Sequence, residues 1–153
     1  MSTVANTGAR QSSESIQVVV FQMEKELFAV SISDVWEIVL MQPITPVPGS
    51  PDFVEGVVNL RGQIIPVISL AKRLGLESKP VTPSTRIVVA QVGDDTVGMI
   101  VDAVQKVTHI PVEDIEVPDG IALEGECLTY VQGIAKVDGG LITLVDLEEA
   151  ISL

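Results

Sequence analysis

The sequence predicts a mostly β fold made of two related halves, each a small barrel of about five short strands. Three observations carry this. Of 153 residues, 25 are valine and 15 isoleucine, side chains that are stiff at χ1 and pack well on a pleated surface. Only five residues are aromatic (Phe21, Phe28, Trp36, Phe53 and Tyr130), so the core has to be aliphatic. Finally, the run of strands and turns starts over past the midpoint of the chain.

Taken in order, residues 1–15 are rich in Ser, Thr and Asn without apolar period and read as a disordered leader. Residues 16–23 form a strand, Glu24-Lys25-Glu26 a turn, and residues 27–30 the returning strand of a hairpin. Residues 35–40, around Trp36 and Glu37, are a further strand. Pro43, Pro46, Pro48, Gly49 and Pro51 then forbid regular ladders. The next hairpin joins residues 54–60 to 64–68 through Arg61-Gly62-Gln63. Pro66 cannot donate to a central ladder, which places it at an edge or a barrel corner. Ser69 caps a short helix over residues 70–74 that Gly75 ends. Residues 77–84, with Pro80 and Pro83, are a linker between a first half (16–76) and a second (85–153).

The second half repeats the first. Residues 87–92 (IVVAQV) lie over 18–23 (VVVFQM), Gly93-Asp94-Asp95 over the first turn, and Val104 over Val35. Residues 133–139 lie over 56–62, and 141–147 over 64–70. Both copies end in a capping residue, Ser69 or Asp146, followed by a short helix. The spacing requires a short insertion in the second copy, for which residues 111–126 leave room. One half alone buries too little surface for secure stability. Two halves packed together enlarge the core and form a groove at their junction, with strand or helix exchange between them open. Closing each sheet into a barrel hides edges that would otherwise invite aggregation.

Charge and chemistry exclude most other roles. Nine Lys and Arg against 21 Asp and Glu give a net charge of −12. Such a chain repels nucleic acid and anionic membrane surfaces. No apolar run reaches the roughly 18–20 residues that span a bilayer, and the leader lacks a secretory apolar stretch. A soluble, cytoplasmic protein without membrane insertion is expected. His109 is the one histidine; beside Ile110 and Pro111 it reads as a solvated loop imidazole rather than a general base. Cys127, the one cysteine, has no basic neighbour to activate it. No phosphate-binding glycine loop occurs. Asp94-Asp95 and Glu113-Asp114-Ile115-Glu116 lack the ligand alternation of a calcium loop. No catalytic residue, metal or cofactor is expected, which leaves binding.

Two side chains suit binding. In Asn59-Leu60-Arg61-Gly62 the glycine lets the chain reverse with φ > 0 and projects Arg61 outward as a rigid fork of donors. A solvated turn arginine fits the same residues, and both readings stand at this point. Alternation puts Val35, Glu37 and Val39 on one face, where the Glu37 carboxylate needs a partner, and Arg61 is a natural one. An exposed pair of this kind contributes about 0–1 kcal/mol, so its value lies in orientation.

Three blocks, Val35-Trp36-Glu37-Ile38, Gly56-Val57-Val58-Asn59-Leu60-Arg61-Gly62-Gln63-Ile64-Ile65-Pro66-Val67 and Val97-Gly98-Met99-Ile100-Val101-Asp102-Ala103-Val104, together resemble the CheW family of chemotaxis coupling proteins. The resemblance runs from residue 16 to the end, and Asn59-Leu60-Arg61-Gly62 is its most specific part. It implies two pseudo-symmetric five-stranded SH3-like barrels with short helices. It also implies a non-catalytic adaptor coupling the cytoplasmic tips of methyl-accepting chemoreceptors to the regulatory domain of a CheA-like histidine kinase, recruited to membrane receptor arrays. The implied protein-binding residues are Val35, Glu37, Ile38, Gly56, Asn59, Leu60, Arg61, Gly62 and Val104. The groove between barrels would take a receptor helix by its apolar face, and one barrel edge would meet the kinase. Ser69 and Ala71 stand where the family often has an aspartate and a basic residue, and Ala103 where glycine is common. A self-assembling array component and an adaptor in a non-motility chemosensory pathway are the alternatives; an enzyme is disfavoured.

Overall fold

In the computed structural model the described residues are 14–117 and 130–151. Most of the predicted leader, Cys127 and the larger part of the predicted insertion lie outside them. The strands fall where valine and isoleucine cluster. The first half runs β1 (Ser15–Met23), β2 (Glu26–Ser31), a 3-10 turn (Ile32–Asp34), β3 (Val35–Leu40), β4 (Val54–Leu60), β5 (Gln63–Ser69) and α1 (Leu70–Arg73). The second half repeats it with β6 (Arg86–Val92), β7 (Asp95–Val101), β8 (Ala103–Pro111), a 3-10 turn (Val112–Asp114), the two-residue β9 (Ile115–Glu116), β10 (Val131–Val137), β11 (Gly140–Val145) and α2 (Leu147–Ala150).

The strands form two sheets, ordered β9-β10-β11-β2-β1-β8 and β3-β6-β7-β5-β4. Each sheet therefore takes its central hairpin from the opposite half of the sequence: β1–β2 sits among second-half strands, and β6–β7 among first-half strands. The registers match between copies. Val18 faces Ser31 and Met23 faces Glu26 in one hairpin; Ile87 faces Ile100 and Val92 faces Asp95 in the other. The two parallel contacts, Val67 with Gly98 and Leu144 with Ala29, also correspond. Bulges recur too. Register slips at Trp36 between β3 and β6, and at Gln105 between β8 and β1. It slips again at Glu55 in β4 and at Gln132 in β10. Bulges bend strands, which lets sheets this narrow curl into barrel-like shells. Neither shell is closed by a continuous ladder.

Of the two places expected for Pro66, an edge strand or a barrel corner, the edge strand is excluded, because β5 lies between β7 and β4. Pro66 is tolerated because pairing to β7 begins only at Val67, so the missing N–H costs no ladder bond.

Alternation produces three cores. Val18, Val20, Ala29, Ile110, Ala135, Ile142 and Leu144 fill the first shell, and Val58, Ile65, Val67, Ile87 and Val89 the second. The opposite faces of the same strands, with both helices, form the largest core between the shells, including Phe21, Phe28, Met99, Ile68, Leu70 and Leu147. Phe21 and Phe28 stack at 6.2 Å within it. The exchanged hairpins are apolar on both faces because each separates a shell interior from the seam. Ser69 and Asp146 cap the helices, accepting from the backbone N–H of Lys72 and Glu149. The junction between halves is thus a packed core.

Candidate protein-binding site

Strand β3 is an edge of its sheet, and its residues alternate in burial from the first to the last. Val35 packs against the seam core and Val39 against the second shell. Trp36, Ile38 and Leu40 point outward, 52%, 37% and 65% exposed. Glu37 lies on the inward side between the two valines, and its carboxylate is turned to the turn between β4 and β5.

That turn has two central residues, Arg61 and Gly62, with φ of 55° and 83°, as a type I′ hairpin requires. Asn59 Oδ1 accepts from the Gly62 N–H at 2.9 Å, fixing the reversal. Arg61 Nη2 donates to Glu37 Oε2 at 2.5 Å; the arginine side chain is 71% exposed and the glutamate 19%. The pairing expected from strand alternation is present. Glu37 Oε1 is buried with no hydrogen-bond partner among the described residues. One carboxylate oxygen therefore depends on the arginine while the other is already desolvated.

Gly56 lies further back along β4, against Thr45. Its φ of +146° is open mainly to glycine, and a Cβ there would lie 2.2 Å from the Thr45 carbonyl oxygen. This close approach lets Thr45 and Val57 exchange two backbone hydrogen bonds of 2.9 Å. The Thr45 bridge and the Glu37–Arg61 pair span the open side of the sheet between its two edge strands, β3 and β4. Leu60 packs beneath, against the second-shell core. The structure thus gathers Glu37, Asn59, Leu60, Arg61 and Gly62 around one corner, with Val35 and Ile38 on the adjoining strand and Gly56 near the other end of β4. Val104 is elsewhere: on β8 of the other sheet, opposite Phe21 and against the seam core.

Trp36 and Leu40 belong to this surface and were not singled out in the sequence. The signal was available in the duplication. Positions 36, 38 and 40 correspond to Gln105, Val107 and His109 on β8, so the second copy builds the same outward face with two polar residues. The strand geometry therefore does not demand an apolar face there.

Lys72 donates to Glu55 at 2.9 Å, and this hydrogen bond is the main cause that raises the lysine pKa above its ordinary value. Among the described residues no group of three or more His, Cys, Asp or Glu could hold a metal ion. None of their helices is long and apolar enough to cross a membrane.

The comparisons with known proteins agree with one another. The CheW-like domain family matches residues 17–153. The chain is 35% identical to chemotaxis protein CheW of Rhizobium meliloti over 86% of this chain and 84% of that protein. It is 34% identical to chemotaxis protein CheW of Helicobacter pylori over 95% of this chain and 88% of that one. Among solved structures, the scaffolding protein TtCheW of Thermoanaerobacter tengcongensis superposes with a TM-score of 0.83 at 36% identity, covering 92% of this chain and 90% of that one.

Proposed function

We propose that this chain, which belongs to the CheW family, couples chemoreceptors to a CheA-type histidine kinase through the corner that Glu37 and Arg61 tie together. The protein is a non-catalytic adaptor of chemotaxis signalling. Its partners in this reading are the kinase regulatory domain and the cytoplasmic tips of methyl-accepting receptors, which place it at receptor arrays on the cytoplasmic side. Binding both partners at once raises the effective concentration of kinase at the receptor without any chemical step.

The observation that carries the reading is the outward apolar row Trp36, Ile38 and Leu40 beside an exposed arginine held by Glu37. Aromatic and arginine residues are the usual anchors of protein interfaces. The row supplies contact area, and the arginine is oriented before a partner arrives. Val104 and Val35 contribute by supporting the strands from the seam.

Co-sedimentation with receptor-containing membranes and kinase from the same genome tests the proposal. Arg61→Glu places two carboxylates together and should lower ternary assembly at least about tenfold, the scale of losing one interface anchor. Asp138→Asn, in the matching turn of the other sheet, should leave assembly unchanged. Wild-type assembly by a folded Arg61→Glu protein would remove this surface from the interface.

A further inference from the structure

Strands β10 and β11 are joined by Asp138 and Gly139, with φ of 49° and 79°, again a type I′ turn. Its counterpart between β4 and β5 is tied down, because Asn59 accepts from the Gly62 N–H. In the second copy Lys136 stands in place of Asn59, and an ammonium has no acceptor to offer. The Gly139 N–H has no hydrogen-bond partner among the described residues, and the Asp138 carboxylate has none either. Both residues are exposed, and the space where a Gly139 side chain would stand is empty.

A carboxyl group next to an unhindered, unbonded amide nitrogen can close on it to form a five-membered imide. Such a ring holds the aspartate ψ near about −120°, the value at the first central position of a type II′ turn. Types I′ and II′ share φ > 0 at that position and differ by a flip of the central peptide plane. Asp138 therefore reaches the ring geometry from its present φ while Val137 stays paired with Gly140. Glycine at 139 accepts both signs of φ that the flip requires.

We propose that the Asp138–Gly139 bond is a site of spontaneous covalent modification, isomerising to a β-linked isoaspartate in the folded protein. The Gly139 nitrogen bonds to Cγ of the protonated Asp138 carboxyl, and its proton leaves with the carboxyl hydroxyl as water. Water then adds to the main-chain carbonyl carbon of Asp138 and breaks its bond to the Gly139 nitrogen. The chain now runs through Cβ and Cγ, and the carboxylate hangs from Cα. Nothing is oxidised or reduced, and the mass is unchanged. The added backbone carbon lengthens a turn whose two-residue span sets the Val137–Gly140 pairing. It does so beside the Lys136–Glu116 ion pair of 3.4 Å that ties β10 to β9. The Arg61-Gly62 turn has no side-chain carboxyl to react, so the change is confined to one of the two copies and is independent of the Trp36–Arg61 surface.

Incubation of the full chain for several weeks at physiological temperature and neutral pH, followed by tryptic digestion, tests the proposal. Cleavage after Lys106 and Lys136 puts Asp138 in residues 137–153 and the other Asp-Gly pair, Asp119-Gly120, in residues 107–136. An isomer of 137–153 with unchanged mass is expected, and electron-transfer fragments specific to isoaspartate should place it at residue 138 and not at Asp146. Its rate of formation should lie within about tenfold of that in the peptide acetyl-Lys-Val-Asp-Gly-Gly-Leu-amide, because the native turn leaves both groups free. Asp138→Glu, which would need a six-membered imide, should slow the reaction at least about tenfold, and Asp138→Asn, which expels ammonia, should speed it at least about tenfold. Both variants should keep native amide dispersion. A folded-chain rate more than about tenfold below the peptide's would overturn the proposal, since the turn would then protect the bond. An isomer found only in 107–136, or only at Asp146, would overturn it as well.

Discussion

Arg61 occupies a backbone conformation that favours glycine, asparagine or aspartate, and the matching turn of the other sheet uses Asp138 at φ 49°. A left-handed non-glycine residue costs about 1–2 kcal/mol, whereas the exposed ion pair it makes contributes about 0–1 kcal/mol. Fold stability alone therefore does not account for arginine at this position. Arg61→Asn should change unfolding free energy by no more than about 0.5–1 kcal/mol in either direction, by urea denaturation, and still impair partner assembly. Gly56 behaves in the opposite way. Gly56→Ala drives a Cβ into the Thr45 carbonyl and should cost about 3 kcal/mol or more. Its counterpart Gly133→Ala meets the Ile115 methyl at 2.7 Å without a left-handed φ, and should cost about 1–2 kcal/mol less because a side chain can yield where a carbonyl cannot.

Among the elements, the short helices depend on their first residues. Ser69→Ala or Asp146→Ala removes the acceptor for an otherwise orphan N–H and should each cost about 1 kcal/mol. Helix α1 also carries Lys72, whose pKa is raised chiefly by the hydrogen bond to Glu55. A raised folded-state lysine contributes stability that is present below its unfolded pKa and is lost as pH rises through the folded value. Wild type should therefore lose more stability above the ordinary 10.5 than Lys72→Met does, read as urea midpoints at neutral and alkaline pH. Elements of this kind were legible in the sequence because they are local. Apolar runs between turn and proline signals placed β3 and β4 at their observed bounds, the turn glycines marked the hairpins, and serine or aspartate before an apolar turn marked the helices. The Glu37–Arg61 contact was legible for the same reason, since period-2 alternation says which face a residue takes. Alternation does not say which strand lies alongside. The hairpin exchange, the bulges at Trp36 and Glu55, and the separation of Val104 from the Arg61 corner are facts of pairing between distant segments, and no local pattern carries them.

For the whole molecule, the exchange makes the two halves inseparable. Strands β6 and β7 stand between β3 and β5, and β2 and β1 between β11 and β8. A first half without its partner keeps β3 apart from β5 and β4, with four ladders (β3–β6, β5–β7, β2–β11 and β1–β8) unmade and the seam core open to water. Arg73 adds a tie across the internal symmetry. Its guanidinium lies over Phe53 at 4.1 Å and Tyr130 at 5.0 Å, corresponding residues of the two copies, and its Nε donates to the Ala150 carbonyl at the end of α2. Cation–π contacts contribute about 0.5–2 kcal/mol when partly desolvated. Arg73→Met should thus lower stability by about 1–3 kcal/mol while unfolding stays a single transition. Cutting the chain in the linker at residues 77–84 is the stronger test. Residues 1–76 and 85–153 produced separately should each lack cooperative thermal unfolding, because the backbone groups and apolar faces of the missing central hairpin have no substitute. Mixed together they should recover the β signature and one transition, with a midpoint that rises with concentration as association becomes part of folding. Cooperative unfolding of either fragment alone as a monomer would mean that each copy can recapture a hairpin of its own and that the exchange is not required for folding.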